Sequence, residues 1–209
     1  MITFDRSAYD GFIFDCDGTL ADTMPLHFQA WTETLTKKLG RPSAFTEELF
    51  YRCGGIPARE IIEKLNHDFG YTLPAQETAY EKEMRFVELL PGIGPVQEVI
   101  DVLHQLGPEA KVAVASGGLT DIVHQTLDFL GVKIGPNEIV KFLVGSDQVA
   151  HGKPFPDLFL RAAELLNVPP ERCLVFEDAA PGFQAAKTAG MAYIDVRAFR
   201  ANMPTAARY

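Results

Sequence analysis

Apolar residues follow two different spacings along the chain, and the changes of spacing divide it into three stretches. The run from Gly11 to Asp15 is short, apolar and ends in an acid, which is typical of a buried strand. From about Pro25 to Leu90, the apolar residues recur at helical spacing and no strand-like run separates them. From Pro91 onward, strand-like and helix-like segments alternate.

The middle stretch predicts a small bundle of four helices. The first has one apolar face and ends where Gly40 and Pro42 interrupt the pattern. Its apolar face comprises Phe28, Trp31, Leu35 and Leu39. The other three helices are predicted at residues 47–51, 58–69 and 75–90.

The last stretch predicts strands at residues 111–115, 140–144, 173–176 and 192–196. Helices are predicted between and after them, at 95–106, 119–130, 156–166 and 181–189. This alternation is typical of a parallel sheet with helices on both faces. We therefore predict an α/β fold, a doubly wound parallel sheet with an all-helical domain inserted after its first strand.

The two junctions of the insertion set the predicted domain boundaries. Residues 1–22 and 92–209 are assigned to an α/β core, and residues 23–91 to the helical domain. Pro25 on entry, and Pro91 with Gly92 on exit, are typical of hinges. A chain of 209 residues suits one core domain with a smaller insertion.

Polar residues follow the predicted strands at the edge where open α/β sheets bind ligands. Asp15 and Asp17 end the first strand and, two residues apart in an extended chain, face the same side. Ser116 and Gly117 follow the second strand, just before a helix N-terminus that favours anions. Lys153 is kept extended by the proline after it and suits a charge clamp on phosphate.

Glu177 and Asp178 end the fourth strand, so that four acids are expected at one edge with Lys153 as the evident base among them. Two like charges ~4 Å apart repel by about 4 kcal/mol at an effective dielectric of 20, so the cluster needs a dication. Oxygen ligands without a His or Cys pattern favour Mg²⁺. The neighbouring acids Asp15 and Asp17 are expected to differ, one ionised as a nucleophile and one protonated as a general acid.

These residues form an ordered set: Asp-Cys-Asp-Gly-Thr at 15–19, a serine after the second strand, Lys-Pro at 153–154 and Glu-Asp at 177–178. The set resembles the motifs of the haloacid dehalogenase superfamily of phosphotransferases, and the resemblance covers nearly the whole chain. The helical insertion resembles the cap of the β-phosphoglucomutase-like branch, on a Rossmann-like core. Four motifs in order are far more specific than any one of them.

The resemblance implies a role for each of these residues. Asp15 is the nucleophile and a magnesium ligand. Asp17 is the general acid and base, and its backbone carbonyl also binds the metal. Asp178 ligates Mg²⁺ directly, and Glu177 supports the site directly or through water. The phosphoryl group is held by Ser116, Gly117 and Lys153.

Three cap residues are candidates for substrate contacts: His27, Gly55 and Arg59. In sugar-phosphate members of the branch, a histidine placed like His27 positions the acid/base aspartate or the substrate; the alternative is a partly exposed helix residue. The loop that contains Gly55 faces the active site in the family and selects the substrate. Arg59 either contacts the substrate or is solvated early in a helix. For Ser116, the alternative is a helix N-cap.

The resemblance implies hydrolysis of small phosphorylated metabolites, sugar phosphates among them, through a phosphoaspartate on Asp15. The alternative is a phosphomutase similar to β-phosphoglucomutase. Departures from the residues of that mutase favour a phosphatase. They are Thr19 in place of valine, Ala58 in place of arginine, and Leu119 and Thr120 in place of lysine and asparagine. A dehalogenase and a phosphate-accepting signalling module are further alternatives, disfavoured by the acids and by the cap.

The composition limits the classes of partner. A net charge of −9 lacks the basic footprint that nucleic acids require, and no apolar run approaches the ~20 residues that span a bilayer. Three scattered cysteines predict no disulfide framework and favour a reducing, cytoplasmic setting. The expected partner is a small phosphoester, and a monomer is the default for the branch.

Overall fold

The computed structural model describes residues 2–54 and 56–199. Its strands are β1 (Gly11–Phe14), β2 (Lys111–Ala115), β3 (Val140–Val144), β4 (Cys173–Glu177) and β5 (Ala192–Asp195). Within the described residues they form one parallel five-stranded sheet in the order β3-β2-β1-β4-β5. This order confirms the doubly wound α/β core. The last ten residues of the predicted core, 200–209, lie outside the described part of the chain.

The first strand lies at the centre of the sheet and is buried on both faces, as its unbroken apolar run predicts. Phe12 and Phe14 point to the face covered by α5 (Gln97–Leu106) and α6 (Thr120–Phe129). Ile13, fully buried, points to the face covered by α7 (Asp157–Leu166) and α8 (Ala180–Thr188).

Four helices lie between β1 and α5: α1 (Met24–Leu39), α2 (Glu47–Arg52), α3 (Ala58–Phe69) and α4 (Ala75–Leu89). They enclose an apolar core of their own around Trp31, Leu35 and Ile62. The first helix ends at Gly40, whose φ of 66° is the left-handed conformation that glycine adopts readily. Among the described residues, no helix has the length and apolar character that crossing a membrane demands.

The two chain segments that lead into and out of these helices run side by side. The Asp22 amide donates to the carbonyl of Gly94 at 2.9 Å, and the Val96 amide donates to the carbonyl of Leu20 at 2.9 Å. An antiparallel bridge between Ala21 and Pro95 lies between these bonds. We call 20–22 and 94–96 the paired tethers. Because 94–96 are extended, α5 begins at Gln97, two residues after the predicted start.

Candidate active site

Three buried carboxylates meet at the carboxyl edge of the sheet. Asp15 follows β1, while Glu177 and Asp178 lie at the end of β4. Phe14 and Phe176 are register partners in the parallel ladder, so the residues after them converge. One oxygen from each carboxylate lies within 4.8 Å of the other two. The predicted convergence of these three acids is therefore present.

The turn after β1 depends on a glycine. Gly18 has a φ of 82°, which disfavours residues with a side chain. A Cβ at this position would also overlap the carboxylate of Asp178. Glycine therefore allows the chain to turn and leaves the space that the second acid occupies.

Lys153 lies within the acid cluster with a fully buried side chain. Its Nζ donates to Oδ1 of Asp15 at 2.6 Å and to Oε2 of Glu177 at 2.7 Å. Burial lowers the pKa of Lys153, but the two carboxylates raise it by more, so the ammonium remains charged. The other oxygen of Glu177, Oε1, accepts from the amides of Asp178 and Ala179 at 3.1 Å each. Both carboxylate oxygens of Glu177 are thus engaged.

Asp17 faces the inserted helices and the end of β2. Its Oδ1 accepts from the Thr23 hydroxyl at 2.7 Å and lies 3.1 Å from Nε2 of His27. Its Oδ2 accepts from the Ser116 hydroxyl at 3.3 Å. The structure therefore brings His27 and Ser116, both predicted site residues, to the same carboxylate.

Ser116 is not the N-cap of α6, so that alternative is wrong. The helix begins at Thr120 with Leu119 at its N-cap, and the Thr120 amide donates to Oδ1 of Asp147 at 2.7 Å. The Ser116 hydroxyl instead accepts from the amide of Gly118 at 3.0 Å while it donates to Asp17. It is oriented by the turn that follows β2.

Lys82 on α4 completes the site, and sequence reasoning did not identify it. Its Nζ lies 2.8 Å from Nδ1 of His27 and 3.0 Å from Oε1 of Glu83, and the residue is 3% exposed. Because an ammonium group only donates, Nδ1 of His27 accepts, and Nε2 carries the proton that it donates to Asp17. The His27 ring also stacks on Phe86, with 3.6 Å between the ring centroids.

The pKa values of the two neighbouring aspartates shift in opposite directions. Burial and the charge of Glu177 raise the pKa of Asp15 to about 7, despite the ion pair with Lys153. Burial also raises the pKa of Asp17, but the contact with His27 outweighs it and holds this pKa at about 2. The roles implied by the resemblance require the reverse, an ionised Asp15 and a protonated Asp17. The two pKa values differ in this direction because, among the described residues, hydrogen-bond donors from the inserted segment contact Asp17 and not Asp15. A cation bound beside Asp15 would lower the pKa of Asp15 and favour its ionised form.

A cavity lies between the inserted helices and the sheet edge. Its wall includes Asp15, Asp17, His27, Lys82, Ser116, Gly117, Glu177 and Asp178. Arg59 lies outside this wall: its side chain is 59% exposed, and its Nε lies 3.5 Å from Oε1 of Glu63. It lines a neighbouring cavity together with Gly117, Tyr80 and Leu119, so a contact between Arg59 and the substrate stays a prediction. Gly55 lies outside the described residues.

The parallel sheet, the inserted helices and the buried cluster of carboxylates with one lysine define a hydrolase with a Rossmann-like core and an inserted helical domain. The chain belongs to the haloacid dehalogenase-like hydrolase family, whose family model matches residues 9–190. The resemblance that the motifs indicate is thereby confirmed.

Relatives of known sequence and structure cover most of the chain. An uncharacterized protein of Haemophilus influenzae is 39% identical over 194 residues, spanning 90% of this chain and 92% of its own. The fructose-1-phosphate phosphatase of Escherichia coli is 34% identical, over 90% of this chain and 97% of its own. The crystal structure of CbbY from Rhodobacter sphaeroides in complex with xylulose-(1,5)bisphosphate is 28% identical, has a TM-score of 0.77 and covers 88% of this chain and 84% of its own.

Proposed function

We propose that the protein is a Mg²⁺-dependent phosphatase that hydrolyses small phosphorylated metabolites, sugar phosphates in particular, through a phosphoaspartate on Asp15. The observation that carries this proposal is the contact of Asp15 with Lys153 beside the Asp178 carboxylate, on the wall of the cavity beneath the inserted helices. Two relatives support the substrate class, because one is named for fructose 1-phosphate and the other binds a sugar bisphosphate.

The residues at the sheet edge fit a magnesium ion. Their donors are carboxylate oxygens within 4.8 Å of one another, as a small hard cation prefers. Asp15 and Asp178 would bind it directly, together with the main-chain carbonyl of Asp17 that the family motif implies. Glu177, with both oxygens engaged, would act through water. When bound, the ion supplies the positive charge that offsets the acids and the phosphoryl oxygens.

Each side chain at the site has its own role in phosphoryl transfer. Asp15 attacks the phosphorus, while Lys153 and Ser116, with the backbone at Gly117, hold the phosphoryl oxygens. Asp17 delivers a proton to the leaving oxygen and later accepts one from the attacking water, which restores its protonated form. His27 contacts Asp17 from the cap and orients its carboxyl group.

Residues 23–91 would act as a cap domain that closes over the core formed by 1–22 and 92–209, and so exclude water during the reaction. The protein would work as a monomer on a small phosphoester. A cytoplasmic setting is consistent with three cysteines that are all buried and free: Cys16, Cys53 and Cys173.

The proposal is tested by incubating the protein and Mg²⁺ with a panel of hexose and pentose phosphates. Release of inorganic phosphate is measured, and phosphorus NMR follows positional isomers. Stoichiometric release of phosphate supports hydrolysis. Interconversion of isomers without net release would identify a mutase instead, and the absence of both reactions across the panel would overturn the proposal.

A further inference from the structure

The inserted helices and the core meet at two places where a glycine on one side lies against a small residue on the other. Gly152 of the core lies against Pro57, so that an added Cβ at Gly152 would come 2.6 Å from Cγ and 2.7 Å from Cδ of the proline. Gly54 of the insertion lies against Ala179 of the core, where an added Cβ would come 2.8 Å from the alanine Cβ. Carbon atoms do not approach this closely without a shift of the backbone.

We propose that these two contacts, which we call the glycine seats, set how far the cap closes, and that Gly54, Pro57, Gly152 and Ala179 are positioning residues for phosphoryl transfer. The kinetic part of this proposal rests on the proposed function. Each seat adjoins a group at the site, since Gly152 precedes Lys153 and Ala179 follows Asp178. The cap therefore touches the core directly beside the lysine and beside an acid of the metal cluster.

Neither seat can accommodate an extra methyl group by rotating a side chain. The Pro57 ring is fixed and precedes the first turn of α3. Ala179 has no rotatable side chain, and its amide is held by Oε1 of Glu177 at 3.1 Å. An extra methyl group at Gly54 or Gly152 would therefore displace the cap about the paired tethers.

Displacement of the cap would act on the chemistry through Asp17. His27 and Lys82 lie on α1 and α4, whereas the carboxylate that His27 contacts at 3.1 Å belongs to the core. A misplacement of about 1 Å can cost on the order of 100-fold in rate. Because Gly54 and Gly152 lack the positive φ that disfavours side chains, alanine suits the backbone at both. We therefore expect a methyl group at either seat to lower kcat by about ten-fold or more in a protein that still folds.

Compensating pairs of substitutions separate this effect from a general defect. At one seat the variants are Gly54→Ala and the double variant Gly54→Ala/Ala179→Gly, which moves the methyl group across the interface. At the other seat they are Gly152→Ala and Gly152→Ala/Pro57→Ala, in which both crowded proline atoms are removed. Each double variant should recover kcat to within about three-fold of wild type. Gly135→Ala, whose Cβ would meet Glu138 at an ordinary 3.6 Å, is the matched control.

Two measurements allow the proposal of the glycine seats to be tested separately from the proposed function. The first is kcat and KM for fructose 1-phosphate and p-nitrophenyl phosphate with Mg²⁺. The second is amide hydrogen exchange around residues 56–58 and 152–153, which needs no turnover and should accelerate in the single variants alone. If the wild-type protein hydrolyses neither probe, the proposed function is contradicted. The hydrogen-exchange measurement still tests the glycine seats in that case. The proposal of the glycine seats would be overturned if the single variants exchanged their amide hydrogens as slowly as wild type. It would also be overturned if the double variants did not recover the wild-type kcat.

Discussion

Nζ of Lys82 lies 2.8 Å from Nδ1 of His27, and this hydrogen bond links two helices of the cap to a carboxylate of the core. The lysine is buried, with its Nζ 5.3 Å from the centre of the Trp31 ring. A buried ammonium group costs free energy unless its partners compensate for the lost water. Here the partners are Glu83 and His27. The hydrogen bond from Lys82 to Nδ1 of His27 fixes the ring proton on Nε2, which faces Asp17.

Replacing Lys82 by Met should lower the rate of the reaction more than it weakens substrate binding. The methionine keeps the packing against Trp31 but removes the donor that fixes the His27 tautomer, so we expect kcat to fall about 10- to 100-fold with a smaller change in KM. Steady-state phosphate release from a sugar phosphate measures both constants. The control is Lys37→Met on α1, where the side chain is 79% exposed. A kcat unchanged from wild type would contradict the role of Lys82.

Asp15→Asn should abolish turnover while preserving the fold. The amide oxygen can still accept from Lys153, and the loss of the negative charge removes the repulsion from Glu177. We therefore expect kcat to fall about 1,000-fold or more and Tm to be maintained or to rise. Phosphate release and thermal unfolding measured on the same samples check this. Asp10→Asn, a change in an exposed ion pair with Arg172, is the control.

Without a metal ion, the free energy of unfolding should decrease as pH rises from about 4 to about 7. In the unfolded chain Asp15 titrates at its ordinary pKa of 3.8, whereas in the folded protein this pKa is raised to about 7. The folded state therefore retains a proton that the unfolded state has released, and this contribution is lost as pH rises through the folded pKa. The slope from this group is at most about 1.4 kcal/mol per pH unit.

Urea unfolding in EDTA across this pH range measures the dependence. Asp15→Asn lacks the titrating group and should show a flatter profile under the same conditions. The lowered pKa of Asp17, about 2, acts in the opposite direction but below this range. A wild-type slope equal to that of the variant would mean that Asp15 ionises normally in the folded protein.

Removal of Mg²⁺ should stop phosphate release, and its return should restore it. The ion also relieves repulsion among three buried acids, so Mg²⁺ at ~100 times its Kd should add about 2.7 kcal/mol to the free energy of unfolding. Thermal unfolding at increasing Mg²⁺ concentration provides the measurement. Asp178→Asn should require much more Mg²⁺ for the same shift, and the exposed Asp121→Asn should not. Full activity in EDTA would argue for a metal-independent reaction.

The sheet and its acidic edge could be predicted because chain order determines them. In a parallel sheet, each strand presents the residues that follow it at the same edge, so Asp15, Ser116 and Glu177 could be placed together without knowledge of their contacts. Helix and strand positions followed from apolar spacing, and the observed boundaries agree to within about two residues.

Contacts between segments were beyond this reasoning. Lys82 meets His27 across 55 positions of sequence, and Arg59 pairs with Glu63 on its own helix. One signal for Lys82 was nevertheless present. It lies four residues from Thr78 and four from Phe86, and both are buried, so the lysine occupies the inward face of its helix. A charged residue on a buried face is a reason to search for a partner.

The paired tethers have a consequence for how new specificities can arise in this chain. Residues 20–22 and 94–96 are hydrogen-bonded to each other, so both ends of the insertion emerge from adjacent points. In the part of the chain that the structure describes, the pairing of the strands in the sheet does not involve the insertion. A graft between these points, whether another helical module or a short turn, leaves every strand pairing undisturbed. Recombination at this junction can therefore exchange the inserted helices while Asp15, Lys153 and Asp178 at the sheet edge are inherited unchanged.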